Sequence, residues 1–166
     1  FADLDNDGDQ DIFEQMGGAF PGDGFNNALY QSPGVGNHWI TIVLEGVQSN
    51  RSAIGARIRA EVVEDGERRS IYRHVNSGGT FGANPLRQTL GLGTATRIEV
   101  LEIFWPTTGL TDTFTGVRVD RTVKIVEGDP SVETVALDTL AFGRGLDDGR
   151  ADRPRDGSAT ARAGRR

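Results

Sequence analysis

The sequence predicts an all-β protein, and three observations carry that prediction. Short runs of alternating apolar and polar residues recur through the middle of the chain. β-Branched residues cluster in those runs. Turn residues separate them, with Gly alone accounting for 23 of 166 positions. The modest hydrophobic content, 36%, suits a β-rich chain with many turns.

The first stretch, Phe1 to Phe13, is a loop. Asp3, Asp5, Asp7, Asp9 and Asp11 occupy alternate positions, and Gly8 follows the third. Calcium takes roughly 6–8 oxygen ligands at about 2.3–2.6 Å, and loops supply them from alternating positions. Asp3, Asp5 and Asp7 would give the first side-chain ligands, and Gly8 permits the sharp turn. The Asp9 carbonyl and the Asp11 carboxylate would complete most of the shell. No Lys or Arg precedes Arg51, so a bound cation is what would relieve the repulsion among these acids. A solvated acidic turn and a magnesium site are the rival readings. The density and phase of the carboxylates speak against the first, and magnesium's demand for octahedral geometry against the second.

The same letters satisfy the EF-hand pattern, with Glu14 in its last position. Gly17-Gly18 and Pro21-Gly22-Asp23-Gly24 would break an exit helix, whereas Ile12 and Phe13 suit a departing strand. The expectation is therefore a strand–loop–strand calcium site, with the role of Glu14 open.

The remaining elements follow in order. Met16 to Gly24 reads as a loop, Asn27 to Gln31 as a short strand, and Ser32 to Asn37 as a connector and domain boundary. His38 to Glu45 is a strand with Ile40, Ile42 and Leu44 on one face and Trp39 and Val43 on the other. Ile54, Ala56, Ile58, Ala60 and Val62 alternate with charged residues, as in a half-buried strand. Asp65-Gly66 signals a hairpin returning through Arg68 to Val75. Gly78 to Gly82 interrupts, and Leu86 to Leu92 is a further short strand. Arg97 to Trp105 is the most apolar strand and is expected to lie centrally, stopped by Pro106. Thr113 to Val119 and Thr122 to Val126 complete the pattern before Asp129-Pro130. From Ser131 the chain is only weakly apolar. Arg150 to Arg166 cannot bury enough surface to offset the entropy of ordering and is expected to be disordered, a basic interaction tail being the functional alternative.

Two stretches resemble known families. Asp3-x-Asp5-x-Asp7-Gly8-x-x-Asp11-Ile12, followed by Asn27-Ala28-Leu29-Tyr30, resembles the calcium loop and next strand of FG-GAP/VCBS repeats, which form β-propeller blades. Asn50-Arg51-Ser52-Ala53-Ile54-Gly55-Ala56-Arg57-Ile58, Gly78-Gly79-Thr80-Phe81, Gly91-Leu92-Gly93 and Trp105-Pro106 together resemble the ASPIC/UnbV domain. Leu90 departs from its pattern where an aromatic often stands, as do Thr107-Thr108 where a single Ser is usual. The resemblance implies a terminal piece of a propeller blade over residues 1–36 and a β-sandwich-like domain over 37–130, with residues 131–166 as a weakly structured to disordered tail. It also implies propeller repeats upstream of Phe1, and secretion to an extracellular or periplasmic place, as in secreted proteins similar to cartilage acidic protein. It carries no defined activity.

Several function classes lose support. The net charge is −6, and no basic stripe with interleaved aromatics marks a nucleic-acid partner. With no cysteine, disulfides and cysteine-based zinc sites are excluded, and no apolar run is long enough to span a bilayer. Gly78-Gly79 and Gly91-x-Gly93 lack a phosphate-loop context. His38 and His74 lack metal-ligand spacing, and Ser52, Ser70 and Ser77 lack a nucleophile elbow. Asn50-Arg51-Ser52 is a glycosylation sequon in form. The expectation is a non-enzymatic calcium-binding extracellular binding or adhesion module for a protein or glycan ligand. The alternative is a polysaccharide-binding or polysaccharide-active accessory domain of a secreted enzyme. Trp39, Trp105, Tyr30 and Tyr72 would be its stacking platforms, although core packing is the favoured reading of both tryptophans. A purely structural propeller cap is a third reading.

Overall fold

A computed structural model describes residues 1–79 and 82–142. The elements are β1 (Ile12–Glu14), β2 (Ala28–Tyr30), β3 (His38–Glu45), β4 (Arg57–Glu64), β5 (Glu67–His74), β6 (Gln88–Gly93), β7 (Arg97–Phe104), β8 (Thr111–Arg118), β9 (Arg121–Val126) and β10 (Glu133–Val135). The described residues contain strands and no helix, as the alternating patterns require. Thr80 and Phe81 of one motif, and the stretch Arg150 to Arg166 expected to be disordered, lie outside the described residues.

β1 and β2 form a small antiparallel pair, with Ile12 opposite Tyr30. The other strands form two four-stranded sheets, ordered β10-β9-β3-β6 and β5-β4-β7-β8. Their inner faces share one core. β3 contributes Ile40, Ile42 and Leu44, β9 contributes Val123 and Ile125, and β6 contributes Leu90 and Leu92. Facing them are Ile58, Ala60 and Val62 of β4, with Ile98, Leu101 and Ile103 of β7. Burying each such large aliphatic side chain is worth about 1.5–3 kcal/mol, so this layer is the main source of stability. It is a β-sandwich.

Three local findings refine the predicted elements. β7 lies between β4 and β8, as its composition anticipated, but its inward residues are Ile98, Leu101 and Ile103. The register against β4 shifts between Glu61 and Val62, where Val100 and then Ile98 are the partners. A bulge at Glu99 thus resets the alternation. Ile54 precedes β4 in a turn and is 42% exposed, because Ala53 and Gly55 take φ of 54° and 99° and end any extended run there. After Asp129-Pro130 the chain adds β10, antiparallel to β9. β3 runs antiparallel to β6 and parallel to β9, with Ile40 opposite Arg121.

Candidate metal centre

The acidic loop is closed by its own backbone. Ala2 and Asp11 pair antiparallel, through Asp11 N–H to Ala2 O at 2.8 Å and Ala2 N–H to Asp11 O at 3.1 Å. Between them the chain reverses at two left-handed residues, Asn6 (φ 61°) and Gly8 (φ 97°). Gly8 meets a second constraint, because a Cβ there would lie 1.9 Å from Nε1 of Trp39. The loop is thus seated on the outer face of β3, where the half-buried Trp39 points away from the core.

This reversal gathers carboxylate oxygens of Asp3, Asp5 and Asp11 within 4.8 Å of one another. Asp5 and Asp11 are each 1% exposed. Asp7 is exposed and Asp9 half-buried, and neither carboxylate belongs to that cluster. They organise the loop instead, Asp7 Oδ1 accepting from Asp9 N–H at 2.9 Å and Asp9 Oδ2 from the Ser32 hydroxyl at 3.5 Å. Glu14 is exposed within β1, opposite Ala28.

Most oxygens of the cluster have donors. Asp3 Oδ2 accepts from Gly8 N–H at 3.2 Å, Asp5 Oδ1 from Asp7 N–H at 3.3 Å and Asp5 Oδ2 from the Gln31 amide. Asp11 Oδ2 accepts from Leu4 N–H at 3.0 Å and Asp11 Oδ1 from Ser32 N–H at 2.9 Å. Asp3 Oδ1 is the exception, buried with no hydrogen-bond partner among the described residues. No ion pair among them reaches the cluster either. Burial pushes the Asp3 carboxyl above its ordinary value, and the Asp7 and Asp5 charges add to the rise, against the hydrogen bond from Gly8 N–H. At Asp7 the bond from Asp9 N–H pulls downward, but partial burial and the Asp5, Asp9 and Asp11 charges outweigh it, leaving that group raised as well. A buried anionic oxygen without a donor is costly, and a hard, oxygen-seeking cation fits this all-oxygen set. Asp3, Asp5 and Asp11 are the side chains that would hold it.

Gln31 and Ser32 were not anticipated. They enter because the β1–β2 register, extended one step past Ile12–Tyr30, carries the chain back alongside Asp11. The segment after β10 also reaches the loop. Leu140 N–H donates to Asp5 O at 2.8 Å, and the Asn6 amide donates to Asp138 O at 3.0 Å.

A second carboxylate centre organises the opposite end of β3. Glu127 Oε2 accepts from Val47, Gln48 and Ser49 N–H, each at 2.8 Å, and Oε1 accepts from the Ser49 and Thr108 hydroxyls at 2.8 and 3.1 Å. Burial works against its charge, but these donors more than compensate and draw its carboxyl down from 4.5 to about 2. Beyond that loop the Asn50 side chain clasps Ile54, accepting from its N–H at 2.9 Å and donating to its carbonyl at 2.8 Å. Trp105 is wholly buried and its indole N–H donates to Asp112 Oδ2 at 2.7 Å. Gly93, at φ 63°, leaves room for the Glu64 carboxylate, which a Cβ would strike at 1.8 Å.

Residues 46–132, just over half of the chain, match the family described as ASPIC and UnbV. The chain belongs to the ASPIC/UnbV family. The match spans β4 to β9 and excludes both the acidic loop and β3. The family stretch therefore includes the Glu127 centre, the Asn50 clasp and the buried Trp105. No curated protein matched the chain. Among the described residues no helix is long and apolar enough to cross a membrane.

Proposed function

We propose that the chain is a non-enzymatic binding module of the ASPIC/UnbV family, acting outside the cytoplasm and stapled by calcium at Asp3, Asp5 and Asp11. The observation that supports the metal reading is the buried Asp3 Oδ1, without a partner among the described residues, beside two almost wholly buried carboxylates. Bound calcium would supply charge neutralisation and fix the loop on Trp39. The reading as a structural staple, not a reaction centre, rests on the many hydrogen bonds that already hold the loop carboxylates.

The loop and the β1–β2 pair are read as the last piece of an FG-GAP/VCBS propeller blade, similar to those of secreted proteins resembling cartilage acidic protein. Phe13, Phe20, Phe25, Leu29 and Tyr30 are all exposed around that pair, which suits a surface that further repeats would cover. The absence of an enzymatic role is inferred from the jobs the family motifs perform: clasping a turn, admitting a carboxylate, filling the core.

Titration calorimetry with calcium tests the proposal, alongside melting with and without a chelator. The expected result is calcium uptake in the 10⁻⁴–10⁻³ M range usual for extracellular modules, and a melting temperature that falls on chelation. No uptake together with an unchanged melting temperature would refute it. Asp5→Ala combined with Asp11→Ala should reproduce the chelated protein.

A further inference from the structure

The acidic loop lies on the outer face of β3, so the outer face of the β5-β4-β7-β8 sheet is on the far side of the sandwich. Its residues stand in rows set by strand register. One row runs His74, Arg57, Phe104, Thr111, and the next runs Tyr72, Arg59, Glu102, Thr113. A groove of about 380 Å³ crosses both rows, lined by Arg57, Arg59, Tyr72, Glu102, Phe104 and Thr111.

The charges in this groove are unequal in their commitments. Arg59 Nε donates to Glu102 at 2.6 Å, and its Nη1 donates to Glu61 at 3.3 Å. Arg57 has no carboxylate partner among the described residues, and neither have Arg73 and His74. The Arg57 guanidinium instead rests 5.9 Å from the centroid of the Phe104 ring, which orients its fork while leaving its outer N–H groups open. Tyr72, 65% exposed, presents a flat apolar face beside it. A free cation on an aromatic shelf is conspicuous in a chain of net charge −6.

We propose that this face binds an acidic oligosaccharide, one whose sugar rings bear carboxylates. A ring carboxylate meets the Arg57 fork in the bidentate arrangement guanidinium favours. The apolar face of the ring lies on Tyr72, and ring hydroxyls donate to Glu102 and exchange hydrogen bonds with Thr111. Glu102 also discriminates. A ligand made only of carboxylates, such as an acidic peptide run, would place a charge against it, whereas a hydroxylated ring offers it donors. This inference stands apart from the calcium reading, because no residue of the groove touches the loop.

The test is titration of the full chain, in calcium-containing buffer, with a glucuronate-containing hexasaccharide, a neutral hexasaccharide and a poly-glutamate peptide. Binding is followed by calorimetry and by amide chemical shifts. The charged sugar should bind and shift β4, β5 and β7 amides, and the other two should not. Arg57→Ala should weaken binding about tenfold or more, Arg57→Lys less, since a point charge replaces a fork. Tyr72→Ala should weaken it severalfold, each with an unchanged melting temperature. The proposal is overturned by no binding of the charged sugar, by equal binding of the neutral one, by preference for the peptide, or by indifference to Arg57→Ala.

Discussion

Two carboxylate centres flank β3, and they solve the problem of a buried negative charge in opposite ways. Glu127 draws three consecutive backbone N–H groups and two hydroxyls onto its two oxygens. It needs nothing from outside the chain. The Asp3–Asp5–Asp11 cluster brings three acids within 4.8 Å and leaves one buried oxygen without a donor among the described residues. Burial alone does not make a carboxylate a ligand. What separates the two centres is whether the fold supplies enough donors to discharge the acid, and at the loop it does not.

That contrast can be broken at four points. The largest effect belongs to Glu127→Ala, which strands several buried donors at once and should cost about 3 kcal/mol, since each hydrogen bond to a charged group contributes about 1.5–3 kcal/mol. Denaturant unfolding should show the same loss with and without calcium. The pH dependence has a definite sign. With a folded value of about 2 against an ordinary 4.5, the folded form binds fewer protons than the unfolded form between those values. Its stabilisation is complete above about pH 4.5 and is lost as pH falls through about 2. Acid unfolding of Glu127→Gln should lack that component.

Chelation comes next. Saturating calcium at about 100 times its dissociation constant stabilises by about 2.7 kcal/mol, so melting should fall correspondingly in the wild type and remain unchanged in Asp5→Ala with Asp11→Ala. Gly8→Ala combines a positive φ with a collision against Trp39 and should cost about 1–3 kcal/mol. Calcium affinity should fall with it, while the amide shifts of β7 stay in place. Gln31→Ala is the smallest, about 1 kcal/mol for one hydrogen bond, read as a few-fold weaker calcium uptake.

Periodicity makes the local elements legible in the sequence. Alternating aspartates announce a loop, and alternating Ile40, Ile42 and Leu44 announce an inward face, because both are local and repeat every second residue. Which aspartates converge was not legible, since it depends on Asn6 taking a left-handed conformation that its letter permits without requiring. Gln31 and Ser32 arrive through strand register, which alternation does not encode. The bulge at Glu99 breaks the alternation of β7, so its inward phase cannot be read by counting every second residue. β10, Glu133-Thr134-Val135, carries no apolar alternation of its own, and its pairing with β9 is what makes it a strand. Tyr72 was named as a possible platform, but its pairing with Arg57 and Phe104 needs three strands side by side.

The parallel pairing of β3 with β9 has a consequence for how the chain is made. Ile40 finds its partner at Arg121, so during synthesis β3 must wait for most of the family stretch before one of its edges is satisfied. Such distant closure is slow relative to local pairing. In that interval an apolar strand, His38 to Glu45, offers an open edge to any other nascent chain. The acidic loop, closed within eleven residues by the Ala2–Asp11 bridge, needs no such delay. A loop seated on Trp39 covers the outer face of β3, but the edge of that strand stays open until β9 is translated.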